Sequence, residues 1–176
     1  MTGNPPRYAP GRAFPPYAHR LGRTPHPRND PDGHSYGAPE PGPADRLTTT
    51  GWAANEIYCF GFDLYNHGYW WEAHEEWEGL WLLEEEDGPA RQFLQGLIQV
   101  SAAMAKWEQG NRRGVEGLGS RGLARLRAAA EAGGPVFLGL EVGALVRDLQ
   151  VFFARLGEGG PPPQPPPMRL ASRVAG

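Results

Sequence analysis

Three observations predict an all-α fold for this chain: proline is nearly absent from its middle, apolar residues there recur with helical period, and helix-opening and helix-closing residues cut that region into segments. Of 19 Pro in 176 residues, eleven lie in residues 1–49 and six between Pro161 and Pro167, leaving only Pro89 and Pro135 between. Proline breaks helix interiors, so the middle is free to be helical. A chain of this length supports one core and is short for two. The expectation is one helical domain over residues 50–157, a compact bundle of about five antiparallel helices, between disordered N- and C-terminal tails.

The first helix is predicted from about Trp52 to Asn66, closed by Gly68, since glycine accepts positive φ without strain. The second runs from about Tyr69 to Glu85 and stops at Asp87-Gly88. Pro89, suited to a first helical turn, opens a third that continues to Gln109-Gly110. Asn111 caps a fourth, to about Ala132; its Gly114, Gly117, Gly119 and Gly122 weaken it by propensity and let a neighbour approach closely. A last helix from about Leu140 to Leu156 carries Leu145, Leu149, Phe152 and Phe153 on one face.

Residues 1–49 show no period, and their isolated aromatics offer too little apolar surface to offset chain entropy, so disorder is expected there. His19, His26 and His34 are too widely spaced for a metal tract. Residues 158–176 read as a disordered polyproline-type tail. The single Cys59 excludes an intramolecular disulfide and a cysteine-based zinc site, and a cytoplasmic protein is expected. No window has the roughly 18 apolar residues of a membrane span, so no membrane partner is expected. Residues 50–157 hold 15 Asp or Glu against 9 Lys or Arg, and this acidic balance disfavours nucleic acid, although Arg112, Arg113, Arg121, Arg125 and Arg127 gather on the fourth helix.

The second helix carries the feature that needs explaining. At 100° per residue, Trp70, His74, Trp77, Glu78 and Trp81 share a face, while Glu72, Glu75, Glu76 and Gly79 face the other way. His74 and Glu78, one turn apart, can share a proton or a metal ion. His67 lies one further turn back. On the third helix Gln95 and Gln99 form a stripe among apolar residues, and buried amides need partners. The simplest packing sets that stripe against His74 and Glu78, in a pocket walled by Trp71, Trp77 and Trp81.

Two readings of this pocket stay open. His74-Glu75-Glu76-Trp77-Glu78 is a His-Glu-x-x-Glu run, similar to the zincin His-Glu-x-x-His helix. On that pattern His74 and Glu78 bind a divalent metal ion and Glu75 is the general base. Only two ligands are local, and none of His67, Glu72, Gln95 or Gln99 supplies a compelling third. The other reading is a structural core pair, His74 donating to Glu78, in a non-enzymatic binding or scaffold protein. The Glu84-Glu85-Glu86-Asp87 run is read as a solvated helix end.

The segment Phe62 to Trp81, with Asn66-His67-Gly68-Tyr69-Trp70-Trp71-Glu72-Ala73-His74-Glu75 at its centre, resembles the signature of the DUF309 family of small helical proteins. Phe93-Leu94-Gln95-Gly96-Leu97-Ile98-Gln99 followed by Gly110-Asn111 is similar to that family's second block. The resemblance implies an all-α fold, a pocket shared between these two helices, and metal-dependent hydrolase activity. Glu72, His74, Glu75, Gln95 and Gln99 carry over position by position, and Glu78 fits the usual acidic place. A small-molecule or peptide ligand is the expected partner.

Overall fold

Helices appear where the punctuation of the sequence puts them. The computed structural model describes residues 5–86, 88–157 and 163–171. It has α1 (Glu56–Asn66), α2 (Trp70–Trp81), α3 (Pro89–Glu108), α4 (Arg112–Gly133) and α5 (Val142–Gly157), with no strand among the described residues. Asn55 caps α1 by accepting from the Tyr58 amide, and a short 3-10 turn, Trp52–Ala54, precedes it where a longer helix was expected. Gly68 takes φ +81° just past α1. Pro89 stands at the start of α3, and Asn111 caps α4 by accepting from the Gly114 amide at 2.9 Å. α2 ends at Trp81, short of the expected Glu85, because carboxylates in a last turn oppose the helix dipole. Asp87, at the turn expected after it, lies outside the described residues.

Helices adjacent in sequence pack on one another, α1 on α2, α2 on α3, α3 on α4 and α4 on α5. The core is built from stripes such as Ala73, Trp77 and Leu80 on α2 and Phe93, Leu94, Leu97, Val100 and Met104 on α3, all fully buried. Trp77 is tied down as well as packed, since its indole N–H donates to the Tyr58 carbonyl at 3.2 Å. The α3–α4 crossing is close because Gly122 has no side chain: a Cβ there would stand 3.1 Å from both the Gly96 carbonyl oxygen and the Val100 nitrogen. No helix among the described residues is long and apolar enough to cross a membrane.

Residues 5–49 belong to the arm for which disorder is the expectation from composition. They have no helix beyond a 3-10 turn at Pro43–Asp45, as their composition predicts, yet they lie on α1 and α2 as an irregular strap. Charge complementarity and aromatic packing hold it, and apolar content alone does not register either. Asp63 is fully buried and accepts from Arg7 Nε (2.8 Å), the Tyr8 amide (2.6 Å) and the Ala9 amide (2.9 Å). Arg12 forks onto Glu76 at 2.7 and 2.8 Å, and Arg20 meets Glu108 at 2.6 Å. Phe14 stacks on Tyr69 with ring centroids 5.2 Å apart. The basic arm thus neutralises part of the acidic excess of the helices. Part of the C-terminal tail is likewise docked: Met168 is fully buried and exchanges hydrogen bonds with the Asn66 side chain. Residues 1–4, 158–162 and 172–176 lie outside the described residues.

Candidate metal centre

The fully buried stripe of α2 is Ala73, Trp77 and Leu80. His74 and Glu78 each follow a stripe residue by one position, about 100° around the helix, so they sit at its edge instead of inside it. Their side chains are 21% and 45% exposed. The His74 ring is fixed by a 2.7 Å contact between Nδ1 and the Trp71 carbonyl oxygen. A carbonyl only accepts, so Nδ1 carries the proton and Nε2 presents a lone pair. Nε2 lies 3.5 Å from Glu75 Oε1 and 3.7 Å from Glu78 Oε2. The pair is therefore neither buried nor hydrogen-bonded, unlike the core pair that was the alternative expectation.

One ligand atom from each of His74, Glu75 and Glu78 lies within 4.8 Å of the others. Bonds of about 2.0–2.2 Å in a tetrahedron give donor-to-donor edges of roughly 3.3–3.6 Å, close to the two separations from Nε2. The donor set, one imidazole with its other nitrogen bound to a carbonyl plus two carboxylates, fits a borderline divalent ion. Glu75, expected as a base apart from the ligands, faces the same point as the ligands do. Burial, with the charge of Glu78 adding to it, raises its pKa above the ordinary value, against the lowering effect of His74 and Arg28.

The face of α2 that was expected to meet solvent is covered by the arm. Glu72 is 4% exposed, and its Oε1 accepts from the His19 amide at 2.6 Å and faces His34 Nε2 at 3.2 Å. Gly79 sits under Pro41. Between arm and helices lies a cavity of about 460 Å³, lined by Trp71, Glu72 and Glu75 among others. Arg12, Arg28 and His34 reach it from the arm, and their spacing in the sequence carried no signal of this. His19 and His26 pack edge-on to Trp71 with ring centroids 5.1 Å away. Burial, then the neighbouring His26, lowers the His19 pKa.

The residues expected to wall a pocket between α2 and α3 are not brought together among the described residues. Trp77 is in the core, and Trp81 is covered by the Arg91 guanidinium at 4.0 Å. Gln95 turns to α4, where its Oε1 accepts from Arg125 Nε at 2.9 Å. Gln99 Oε1 is buried without a hydrogen-bond partner among the described residues. The reason is the position of α3 between α2 and α4: Gln95 finds a charged donor on α4, while α3 meets α2 through buried apolar residues and through Ser101 Oγ, which donates to the Trp70 carbonyl at 2.7 Å. His67 belongs to the end of α1, its Nδ1 against the Asp63 carbonyl, and Glu84 is buried, accepting from the Leu47 amide at 3.0 Å.

No curated protein and no solved structure gives a significant match to the chain. One family model does match, over a stretch that takes in His74, Glu75 and Glu78 and leaves out the arm that covers them. The model is that of DUF309, a domain of unknown function, and it matches residues 59–118 of this chain.

Proposed function

We propose that the protein holds a divalent metal ion through His74, Glu75 and Glu78 and hydrolyses a small molecule that enters from the cavity beside α2. The observation that carries this reading is the convergence of the three donor atoms within 4.8 Å. Three protein ligands leave a coordination position open, as in catalytic zinc sites, whereas structural sites are closed. The ion supplies Lewis acidity for hydrolysis. The chain supplies orientation: the Trp71 carbonyl keeps the Nε2 lone pair outward, and Arg28 Nε, 3.4 Å from Glu75, steadies that carboxylate. Glu75 becomes the third ligand that spacing along the helix did not provide.

Elemental analysis of gently purified full-length protein, with titrations of zinc and manganese, tests the reading. The wild type should bind about one equivalent, and a chelator should lower its melting temperature, because a ligand specific to the folded state stabilises it. His74→Ala and Glu78→Gln should abolish both effects. Glu75→Gln separates two roles: a ligand loses metal affinity when substituted, while a general base keeps the metal and loses turnover. A wild type that carries no metal, shifts with neither zinc nor manganese and melts identically with and without chelator would overturn the proposal.

A further inference from the structure

The acidic balance of residues 50–157 is unevenly spread once the chain is folded. On α1–α3 it is met by the arm: Arg7 pairs with Asp63, Arg12 with Glu76, Arg20 with Glu108, and Arg28 with Glu75. On α4 the balance is reversed, with five Arg and only Glu116 between residues 112 and 130. Arg125 turns inward to Gln95. Arg113, Arg121 and Arg127 are exposed and make no ion pair among the described residues. Arg112, its side chain 71% exposed, meets only Glu116 on the same helix. With α3 standing between α4 and the acidic face of α2, the outer face of α4 carries a positive field.

The shape of that face restricts what can occupy it. At 100° per residue, Arg113, Gly117, Ser120, Ala124, Arg127 and Glu131 fall within about 80° of arc. Two arginines about 21 Å apart along the axis therefore frame a middle of small side chains, and Arg121 flanks it. No large apolar side chain of α4 is exposed. A protein partner is anchored by apolar or aromatic groups, and a helix enters a bilayer surface through an apolar face, so neither finds a hold here. Arginine forks instead match phosphate oxygens in pairs. A helix about 10–12 Å across fits the roughly 12 Å major groove of B-form DNA, and its slender middle lets the backbone come close. The deep, narrow major groove of A-form RNA does not admit it.

We propose that the outer face of α4 binds the backbone of duplex DNA, with Arg112, Arg113, Arg121 and Arg127 reaching phosphates on the walls of the major groove. Between the framing arginines only Ser120 offers a side-chain hydrogen bond, so binding carries little sequence preference. None of the metal-centre residues takes part.

Fluorescence anisotropy of a labelled duplex of about 20 base pairs, titrated with full-length protein, tests this. Dissociation constants on the order of 10 µM are expected at about 50 mM salt, weakening about a hundredfold by 200 mM, since four phosphate contacts give a log–log salt slope of about −3.6. Replacing Arg113, Arg121 and Arg127 together by Gln should weaken binding tenfold or more and bring the slope to about −1, with the melting temperature unchanged because all three are exposed. Ala124→Glu, a carboxylate in the middle of the face, should also weaken binding, and Glu131→Gln should tighten it about twofold. No binding at about 100 µM protein in 50 mM salt, or indifference to these substitutions, would overturn the proposal. So would tighter binding of duplex RNA, of polyglutamate or of phosphatidylserine vesicles than of the DNA.

Discussion

Burial sets the behaviour of Glu75. Its carboxyl is held above the ordinary range by loss of water, with the nearby Glu78 acting in the same direction. A folded-state pKa raised above the unfolded value means that the folded protein binds this proton more tightly. The resulting penalty is absent below the unfolded pKa and is fully present once pH rises past the folded one. Metal-free Glu75→Gln protein should therefore be more stable than wild type at neutral pH, by up to about 1 kcal/mol after allowance for its partial exposure. The difference should shrink as pH falls through the raised pKa and vanish below the unfolded one, where the wild type is neutral in both states. Urea melts of both proteins across that range check this. A variant less stable at every pH would mean that the contact with Arg28 outweighs the burial of charge.

At the scale of helices, the α3–α4 crossing depends on what Gly122 lacks. A methyl group there would lie 2.8 Å from Val100 Cγ2 and 3.1 Å from α3 backbone, and backbone does not yield. Gly122→Ala gains up to about 1 kcal/mol in helix propensity and loses about 1–3 kcal/mol to overpacking, so a net loss of about 1–2 kcal/mol is expected. Gly117 is the control on the same helix. A methyl group there would meet only the end of the Arg121 side chain, at 3.7 Å and beyond, so Gly117→Ala should stabilise by about 0.5–1 kcal/mol. Denaturant midpoints of the two variants should move in opposite directions.

For the molecule as a whole, the arm is part of the folded unit. Asp63 is fully buried, and three of its hydrogen bonds come from Arg7, Tyr8 and Ala9. Removing residues 1–49 takes these donors and the arm's ion pairs and aromatic contacts from the helices, and each lost hydrogen bond to a charged group costs about 1.5–3 kcal/mol. The shortened chain should melt well below the full-length protein or lose its cooperative transition, as followed by circular dichroism. An unchanged melting temperature on truncation would show that the strap contributes nothing to stability.

The fold class was legible because its determinants are local. Proline placement, the helical apolar period, Asn111 as a cap and Gly68 as a terminator act within a few residues of themselves, and the five helices follow from them. His74 and Glu78 were legible as a pair for the same reason, since helical geometry sets residues one turn apart side by side, whereas the helical projection put Glu75 on the other face. Tertiary structure decided everything that depends on which surface meets which. Gln95 turned to Arg125, thirty positions away, and the acidic face of α2 met an arm whose Arg12 and His19 bond to Glu76 and Glu72 across 64 and 53 positions. Pairings at such separations leave no period in the sequence. They are set by charge and shape that exist only once the helices have packed.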